Sequence, residues 1–380
     1  MRLLVVSPHL ESFVRDQLEA LSPHISSAEA LILRPSWSMF DRGRESAIGV
    51  GRALSIRQRI FRSVLLSTRW PIPPPGFGHA VKVGRKILRE GKFDLVQAHF
   101  LYPSGATAAL AASLEGIPCV VTGHGFDVYS LPFRNRWWRR VIVDSLALCS
   151  AVVTVSEQNS TILQRLGVPR NAIRVIPNGY DPKLFYPGPA RSARDALGLP
   201  DDTPILLAVG HLVPVKGFDL ALRAVARLHC RVRLIVVGRG PMRRRLEAMA
   251  KRLGIRDRVH FAGEVPHLQV SDYIRASDLV LISSRAEGNP AILVEALACG
   301  RPVVAARVGG IPEVLGLRQG ILFEPGNVEE LVDSMGGALA QNWSSQEIAA
   351  GASVWAWPEL ARRLKAVYDE ALRQGREVRK

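Results

Sequence analysis

Two glutamates eight residues apart are the most informative feature of the sequence. Glu287 follows an apolar run, and Glu295 lies inside the helical pattern that comes next. Asn289 suits the N-cap of that helix and Pro290 its first turn, while Gly288 lets a ligand approach the backbone closely. A carboxylate that accepts two hydrogen bonds suits a vicinal diol, and free amides at a helix start bind anionic oxygens. The pattern predicts a site for a hydroxyl-rich or phosphorylated ligand, against the alternative of two solvated surface glutamates.

Three further segments place a cation or flexible backbone after an apolar run. Residues 209–220 carry Lys216 in a glycine-bearing loop, where its ammonium group would neutralise a phosphate as a point charge. A solvated loop lysine is the alternative. Residues 176–181 have the chemistry of a turn, which alone explains them, and residues 306–313 again put flexible backbone after a strand.

Four of the nine histidines follow predicted strands. His9, His99 and His124 do so in the first half of the chain, and His211 follows the first strand of the second half. Ligands of open parallel sheets bind beyond the carboxyl ends of the strands. These positions together favour a polar cleft, although each histidine alone is equally well explained as a structural residue.

These segments together resemble the retaining glycosyltransferases of family 4, which have the GT-B fold of two facing Rossmann-like domains. The family's terminal helix, which crosses back to the first domain, looks like the helix predicted from Trp357. The matching elements are E-x7-E at residues 287–295, G-R-L-x3-K-G at 210–217, P-N-G-x-D at 177–181, G-G-x-x-E at 309–313 and the histidine loop at 122–127.

By that resemblance Glu295 holds the nucleotide ribose, Lys216 the diphosphate, and Glu287 the transferred sugar. His211 stands where the family usually has arginine, and it is a weaker, pH-dependent cation. The implied donor-binding residues are Gly210, His211, Lys216, Glu287, Gly288, Asn289, Pro290, Ala291 and Glu295.

The resemblance also implies the reaction. Glu287, Lys216 and His124 would act in catalysis, with His9, His99 and Asp127 on the acceptor side. The substrate would be a UDP-, GDP- or ADP-sugar, and its hexose-type sugar would pass to a hydroxyl of a glycan or lipid-linked acceptor. The expected mechanism retains anomeric configuration and uses no cofactor, no protein-held metal and no side-chain nucleophile. Lys216 and backbone amides would stabilise the departing diphosphate.

Several other nucleotide-binding motifs fail in this sequence. The Gly238-Arg-Gly240 segment has Arg243 where the dinucleotide fingerprint needs its third glycine. Lys216 lacks the neighbours of a phosphate-loop lysine, and no Asp-x-Asp occurs. The four cysteines are 30, 81 and 69 residues apart, which suits neither a zinc site nor a disulfide framework.

Short apolar runs alternate with longer amphipathic patterns along the chain, which is typical of parallel sheets covered by helices. Prolines and a glycine at residues 186–190 suggest a linker. We therefore expect an acceptor domain of residues 1–187 plus about 355–373 and a donor domain of residues 188–354. The predicted strands are 3–6, 30–33, 93–98, 119–122, 151–155 and 173–176, then 205–209, 234–237, 259–262, 279–282, 303–305 and 321–323.

The positive charge is concentrated in one region. The chain has 50 Lys and Arg against 34 Asp and Glu, or +16, and residues 34–92 alone contribute 13 against 3, or +10. Residues 52–69 have apolar positions at helical spacing between arginines, which predicts an amphipathic helix suited to an anionic membrane surface. A domain-packing helix with a solvated basic edge is the alternative. With no signal peptide or spanning run, we expect a cytoplasmic enzyme in contact with the cytoplasmic membrane face.

Two other functions compete with a glycosyltransferase. A nucleotide-sugar epimerase of the same fold would convert its substrate without an acceptor. A nucleic-acid-binding protein would use the basic charge, yet the sequence contains no recognition motif or aromatic-rich stacking surface for it. We therefore expect no nucleic-acid partner.

Overall fold

The computed structural model describes residues 1–8, 12–34, 41–42, 46–50, 54–62 and 78–378. They divide into two compact units: unit one is Met1–Pro177 with Trp357–Lys380, and unit two is Asn178–Ala356. The proline-rich segment 186–190 lies inside unit two, because Tyr180 and Phe185 before it are buried in the core of that unit.

Unit one contains a sheet of nine strands within the described residues. Their order is β3-β5-β2-β1-β6-β7-β8-β9, and β4 also pairs with β5. All pairs are parallel except β3 and β4 against β5. The strands are β1 (Arg2–Ser7), β2 (Ser27–Arg34), β3 (Asp41–Arg42), β4 (Ser46–Val50), β5 (Leu54–Arg62), β6 (Leu95–His99), β7 (Cys119–Gly123), β8 (Ala151–Thr154) and β9 (Ile173–Val175).

The helix predicted for residues 52–69 is wrong over the part that the structure describes. Leu54–Arg62 forms β5, which pairs with three other strands. In the sequence Ile56 and Ile60 are four apart, which fits a helix, but they also fit an alternation of period two with the basic residues between them. Pairing with neighbouring strands decides between helix and strand here, and the local sequence pattern gives no information about that pairing. The rest of the segment lies outside the described residues.

The first six helices cover the sheet of unit one. In the first, Val14, Leu18 and Leu21 are fully buried, as their spacing predicts. Helix α2 was not predicted from the sequence. The helices are α1 (Ser12–Leu21), α2 (Gly78–Gly91), α3 (Ala106–Leu114), α4 (Phe126–Tyr129), α5 (Arg136–Leu146) and α6 (Glu157–Arg165).

Unit two, all of whose residues are described, has six parallel strands in the order β12-β11-β10-β13-β14-β15. Each lies within one residue of its predicted bounds, because strands buried on both faces are continuous apolar runs. The strands are β10 (Ile205–Val209), β11 (Arg233–Val237), β12 (Val259–Gly263), β13 (Leu279–Ile282), β14 (Val303–Ala306) and β15 (Gly320–Phe323). The helices are α7 (Ala190–Leu197), α8 (Phe218–Arg227), α9 (Arg243–Arg252), α10 (His267–Ala276), α11 (Ala291–Ala298), α12 (Ile311–Val314), α13 (Val328–Ala340) and α14 (Ser345–Ala352).

The last helix, α15 (Trp357–Val378), belongs to unit one. Its Tyr368 is fully buried and its hydroxyl donates to the side chain of Gln97 on β6. Glu370 accepts two hydrogen bonds from Arg174 over 2.7 and 2.8 Å. The chain thus returns to its first unit after completing the second. Among the described residues, no helix combines the length and apolar character that crossing a bilayer requires.

Candidate functional site

Two side chains that are 71 residues apart in sequence meet in unit two. The ammonium nitrogen Nζ of Lys216 donates to Oε1 of Glu287 over 2.7 Å. The hydroxyl of Ser284 donates to the same oxygen over 2.6 Å. The Glu287 side chain is 8% exposed, so the pair lies where charges interact strongly but have lost hydration. Within the described residues the second oxygen, Oε2, makes no hydrogen bond, which leaves one side of the carboxylate for a ligand.

The loop that carries Lys216 is bound directly to the loop that carries the glutamate. Gly217 has φ +65°, and a Cβ there would lie 1.9 Å from the carbonyl oxygen of Ser283. The Ser283 hydroxyl donates to the carbonyl of Gly217 over 2.8 Å, and the amide of Arg285 donates to the carbonyl of Val215 over 2.7 Å. Only glycine allows this close approach, which sets the position of the lysine.

A glycine pair supports the other side of the glutamate loop. Gly309 has φ +58°, and a Cβ there would lie 2.3 Å from the carbonyl oxygen of Glu287. The amide of Gly310 donates to the carbonyl of Gly288 over 2.6 Å. The G-G-x-x-E element therefore fixes the backbone of the E-x7-E element.

Asn178 is a site residue whose role the sequence did not reveal. Its buried amide nitrogen donates to the carbonyl of Asn289 over 2.7 Å. Turn chemistry alone explained this asparagine in the sequence, because its partner is 111 residues away. The P-N-G-x-D turn thus acts as a third support for the glutamate loop.

Asn289 does not cap the following helix, contrary to the sequence-based expectation. Helix α11 begins at Ala291 with Pro290 in the capping position, and no side chain caps it. The Asn289 side chain is 4% exposed, and within the described residues neither its oxygen nor its nitrogen has a hydrogen-bond partner. A buried amide without a partner costs free energy, so this group suits a ligand hydroxyl.

Glu295 has an unforeseen partner on another helix. Nε2 of His267, the first residue of α10, donates to Oε1 of Glu295 over 3.0 Å. The Glu295 side chain is 8% exposed and that of His267 27%. Oε2 of Glu295 makes no hydrogen bond among the described residues. No sequence signal marks His267, since no recognised motif joins it to Glu295.

Gly210 and His211 lie at the carboxyl end of β10, as predicted. A Cβ at Gly238 would lie 1.9 Å from the carbonyl oxygen of Gly210, so the two backbones touch. His211 is exposed at the start of the lysine loop.

Arg285, which bonds the lysine loop, and Arg307, which follows β14, are both already paired. Arg285 donates to both carboxylate oxygens of Asp219 over 2.9 and 2.7 Å, and to the carbonyl of Pro214 over 2.7 Å. Burial raises the pKa of Asp219, but the hydrogen bonds and the positive charge of Arg285 together outweigh burial and lower that pKa overall. Arg307 pairs with Glu324 over 2.9 Å. Both guanidinium groups therefore already have a carboxylate partner, and neither replaces the arginine that the family usually has where this chain has His211 without giving up that partner.

His99 and His124 meet in unit one. Nδ1 of His99 lies 3.0 Å from Nε2 of His124, so one ring donates and the other accepts, and the rings stack with centroids 5.3 Å apart. Phe13 and Phe100 flank His124 with ring centroids 4.9 and 4.7 Å away. Burial lowers the pKa of His99 to about 3, and burial together with His99 holds the pKa of His124 well below its usual value. Both rings are therefore neutral at neutral pH.

Asp127 supports the histidine loop from inside. Its buried carboxylate accepts hydrogen bonds from the amides of Leu101 and Gly125 over 2.8 and 2.7 Å and from the amide of His124 over 3.2 Å. Burial raises its pKa against these hydrogen bonds. Asp127 therefore shapes the loop that presents His124. His9 lies outside the described residues.

Solved structures identify the architecture. HepE from Anabaena, in complex with UDP, matches 97% of this chain and 100% of its own with a TM-score of 0.74 at 20% identity. Sucrose-phosphate synthase from Thermosynechococcus elongatus matches 100% of this chain and 98% of its own with a TM-score of 0.73 at 22% identity. At these identities the likeness concerns the fold, which is GT-B.

Family models and relatives add the activity. Residues 32–184 match the model of Glycosyltransferase Family 4, and residues 190–353 match that of Glycosyl transferases group 1. A D-inositol 3-phosphate glycosyltransferase of Xylanimonas cellulosilytica is 33% identical over 75% of this chain and 74% of its own length. The putative teichuronic acid biosynthesis glycosyltransferase TuaC of Bacillus subtilis is 29% identical over 81% and 77%. The chain belongs to the family 4 glycosyltransferases and is a transferase; nothing in these comparisons supports an epimerase.

Proposed function

We propose that the enzyme transfers a hexose-type sugar from a UDP-, GDP- or ADP-sugar to a hydroxyl of a glycan or lipid-linked acceptor, retaining anomeric configuration without a metal ion. The observation that carries this proposal is the pair of buried carboxylates, Glu287 and Glu295. Each is anchored through Oε1 and has an Oε2 without a hydrogen bond among the described residues. Two such carboxylates suit the two polyols of a nucleotide sugar, its ribose and its transferred sugar.

Lys216 binds the diphosphate in this mechanism. An ammonium group has three donors, so it can bond phosphate oxygens while keeping its contact with Glu287. As the sugar leaves, negative charge grows on the diphosphate, and Lys216 with the free amides at the start of α11 stabilises it. The acceptor hydroxyl attacks from the face of the departing phosphate, which takes up its proton, so no side-chain nucleophile is needed.

The two glutamates divide the rest of the donor between them. Glu287, with the amides of Gly288 and Asn289, binds hydroxyls of the transferred sugar, and the unpaired Asn289 side chain adds a donor and an acceptor. Glu295 binds the ribose through Oε2 while His267 holds its other oxygen.

Unit one supplies the remaining contacts. His124 meets the transferred sugar, with His9 and His99 on the acceptor side and Asp127 shaping the loop. Because burial keeps His99 and His124 neutral, they contribute hydrogen bonds rather than charge. Two of the four free cysteines are buried, which suits the cytoplasmic location that we propose.

Release of nucleoside diphosphate tests this proposal. The purified chain is incubated with UDP-, GDP- and ADP-sugars, with and without a panel of hydroxyl acceptors. We expect acceptor-dependent release, which Lys216→Ala and Glu287→Ala lower by about 100-fold or more because both remove stabilisation at the reacting group.

Lys365→Ala is the matched control. Lys365 is 29% exposed against 28% for Lys216, and it bonds a carboxylate over the same 2.7 Å, but it lies on α15. Its loss should leave the rate unchanged. Full activity in the Lys216 or Glu287 variant would contradict the site assignment, and sugar conversion without an acceptor would instead indicate an epimerase.

A further inference from the structure

Unit one carries a patch of exposed aromatic rings between arginines. Phe126, Phe133 and Trp137 are 48, 57 and 48% exposed. They lie on α4, on the 3-10 turn Leu131–Phe133 and at the start of α5. We call residues 126–140 the aromatic-basic patch. Its exposed arginines are Arg134, Arg136, Arg139 and Arg140.

The patch stands on a well-packed base. Leu131 and Trp138 are fully buried, and the Trp138 ring meets Tyr102 edge-on with centroids 5.0 Å apart. Asn135 caps α5 by accepting hydrogen bonds from the amides of Trp137 and Trp138 over 3.0 and 3.1 Å. The segment that carries the exposed rings is therefore well packed against the rest of unit one, so loose packing does not explain their exposure.

The charge of the patch has one sign. No acidic residue occurs in residues 128–143, and Asp127 is buried with its carboxylate bonded to backbone amides. The first acidic residue beyond the patch, Asp144, pairs with Arg140 over 3.4 Å. The guanidinium carbon of Arg136 lies 4.9 Å from the Trp137 ring centroid, so cation and ring form one surface.

This combination matches the headgroup layer of an anionic bilayer. Aromatic rings favour the boundary between headgroups and acyl chains, and basic side chains around them are attracted to anionic lipid. The strength of such binding grows with the apolar area inserted and with the electrostatic attraction to anionic lipid, and the patch supplies both. Protein interfaces share the enrichment in aromatic residues and arginine, but charged residues as a class are depleted from their cores, whereas this patch carries four exposed arginines and no exposed acidic residue.

We propose that the aromatic-basic patch docks the enzyme on an anionic lipid bilayer. The sequence predicts a membrane contact at residues 52–69, and we assign one to residues 126–140. Phe126 and Asp127 are neighbours on α4, so the docking surface adjoins the loop that presents His124. That position fits an acceptor held by lipid, and in this respect the inference rests on the proposed function.

Vesicle flotation of the full chain tests the proposal. The probes are vesicles of phosphatidylcholine alone and of phosphatidylcholine with phosphatidylglycerol, at low salt. We expect recovery with the anionic vesicles, and a fall in vesicle affinity of about tenfold or more in each of two double variants. One removes the rings, Phe133→Ser with Trp137→Ser, and the other removes charge, Arg136→Gln with Arg139→Gln.

Two control variants remove the same chemistry from unit two. Leu268→Ser with Leu317→Ser removes apolar groups that are 72 and 95% exposed, and Arg244→Gln with Arg245→Gln removes charge from α9. Both should float like the wild type. Equal recovery with neutral vesicles, wild-type flotation of either patch variant, or an equal loss in the controls would overturn the proposal. So would size-exclusion evidence that the patch variants only abolish self-association.

Release of nucleoside diphosphate with a water-soluble acceptor separates this inference from the proposed function. The patch variants should keep that rate, because they touch no substrate group. A chain that floats but transfers no sugar would overturn the proposed function alone. A chain that transfers sugar but does not float would overturn the docking surface alone.

Discussion

His99 and His124 share a hydrogen bond at a buried position where the charged form of either ring is disfavoured. Phe13 and Phe100 surround His124, and His99 is fully buried. The folded chain therefore resists protonation of both rings, whereas the unfolded chain takes up these protons at about pH 6.5. The pair couples stability to pH.

The sign of this coupling gives a prediction for His99→Gln. In the unfolded wild type His99 binds a proton below about pH 6.5, whereas in the folded chain it stays neutral down to its pKa of about 3. The unfolded state therefore binds more protons in this range, so the free energy of unfolding falls as the pH falls. Glutamine does not titrate, so the variant loses this contribution to the pH dependence of stability. Between about pH 5 and 6.5 we expect the loss of stability per pH unit to shrink by about 1 kcal/mol in the variant.

Urea unfolding at a series of pH values measures this slope. His229→Gln changes an exposed histidine in unit two and serves as the control, which should keep the wild-type slope. An unchanged slope in His99→Gln would show that the buried ring does not carry the coupling.

At the scale of elements, the site depends on loops that approach each other through glycine. Gly217 and Gly198 have nearly the same backbone conformation, with φ of +65° and +63°. A Cβ at Gly217 would meet a carbonyl oxygen at 1.9 Å, whereas a Cβ at Gly198 would meet no atom within 4 Å. The two positions separate backbone strain from steric contact.

Alanine at these glycines should have very different effects. Gly198→Ala should cost about 1 kcal/mol of unfolding free energy from left-handed strain alone. Gly217→Ala should cost about 3 kcal/mol or more and lower the transfer rate at least about tenfold, because the lysine loop must move away from β13. Urea unfolding and diphosphate release measure both effects, and similar results for the two variants would refute the close-approach argument.

The P-N-G-x-D turn should affect catalysis without touching substrate. Asn178→Ala removes the hydrogen bond to the Asn289 carbonyl, so kcat/KM should fall about tenfold. Asn178→Asp should be worse, since a carboxylate would face that carbonyl. Asn327→Ala, which removes the N-cap of α13, should cost about 1 kcal/mol of stability and leave kcat/KM unchanged. Equal kinetics in the Asn178 and Asn327 variants would assign Asn178 a structural role only.

The same elements show what the sequence can and cannot predict. The strands of unit two are continuous apolar runs, so their bounds could be predicted from the sequence. Lys216 and Glu287 lie in the loops that follow β10 and β13, as the sequence predicts. The edge strand β5 has a pattern that fits two periods, so its type depended on partners far along the chain. The hydrogen bond of Lys216 to Glu287 joins residues 71 apart, and that of His267 to Glu295 joins residues 28 apart. Spacing within a motif does not predict contacts between residues that are so far apart in the sequence.

For the whole molecule, we expect nucleoside diphosphate binding to appear as stability. At about 100 times its Kd, the preferred one of UDP, GDP and ADP should stabilise the wild type by about 2.7 kcal/mol, because it binds only the folded chain. Lys216→Ala should lose most of this gain, while Lys365→Ala should keep it. Thermal unfolding measures the gain, and stabilisation of equal size in the Lys216 variant would exclude the lysine from diphosphate binding.

Unit two is one uninterrupted stretch, Asn178–Ala356, inserted between two parts of unit one. Its two ends already touch, since the amide of Tyr180 donates to the carbonyl of Trp355 over 3.2 Å and Tyr180 pairs with Ala356. Insertions with neighbouring ends are tolerated because joining them costs little chain entropy. The unit therefore has the form of an exchangeable cassette, so two nearby cuts would suffice to replace it with the corresponding unit of a relative.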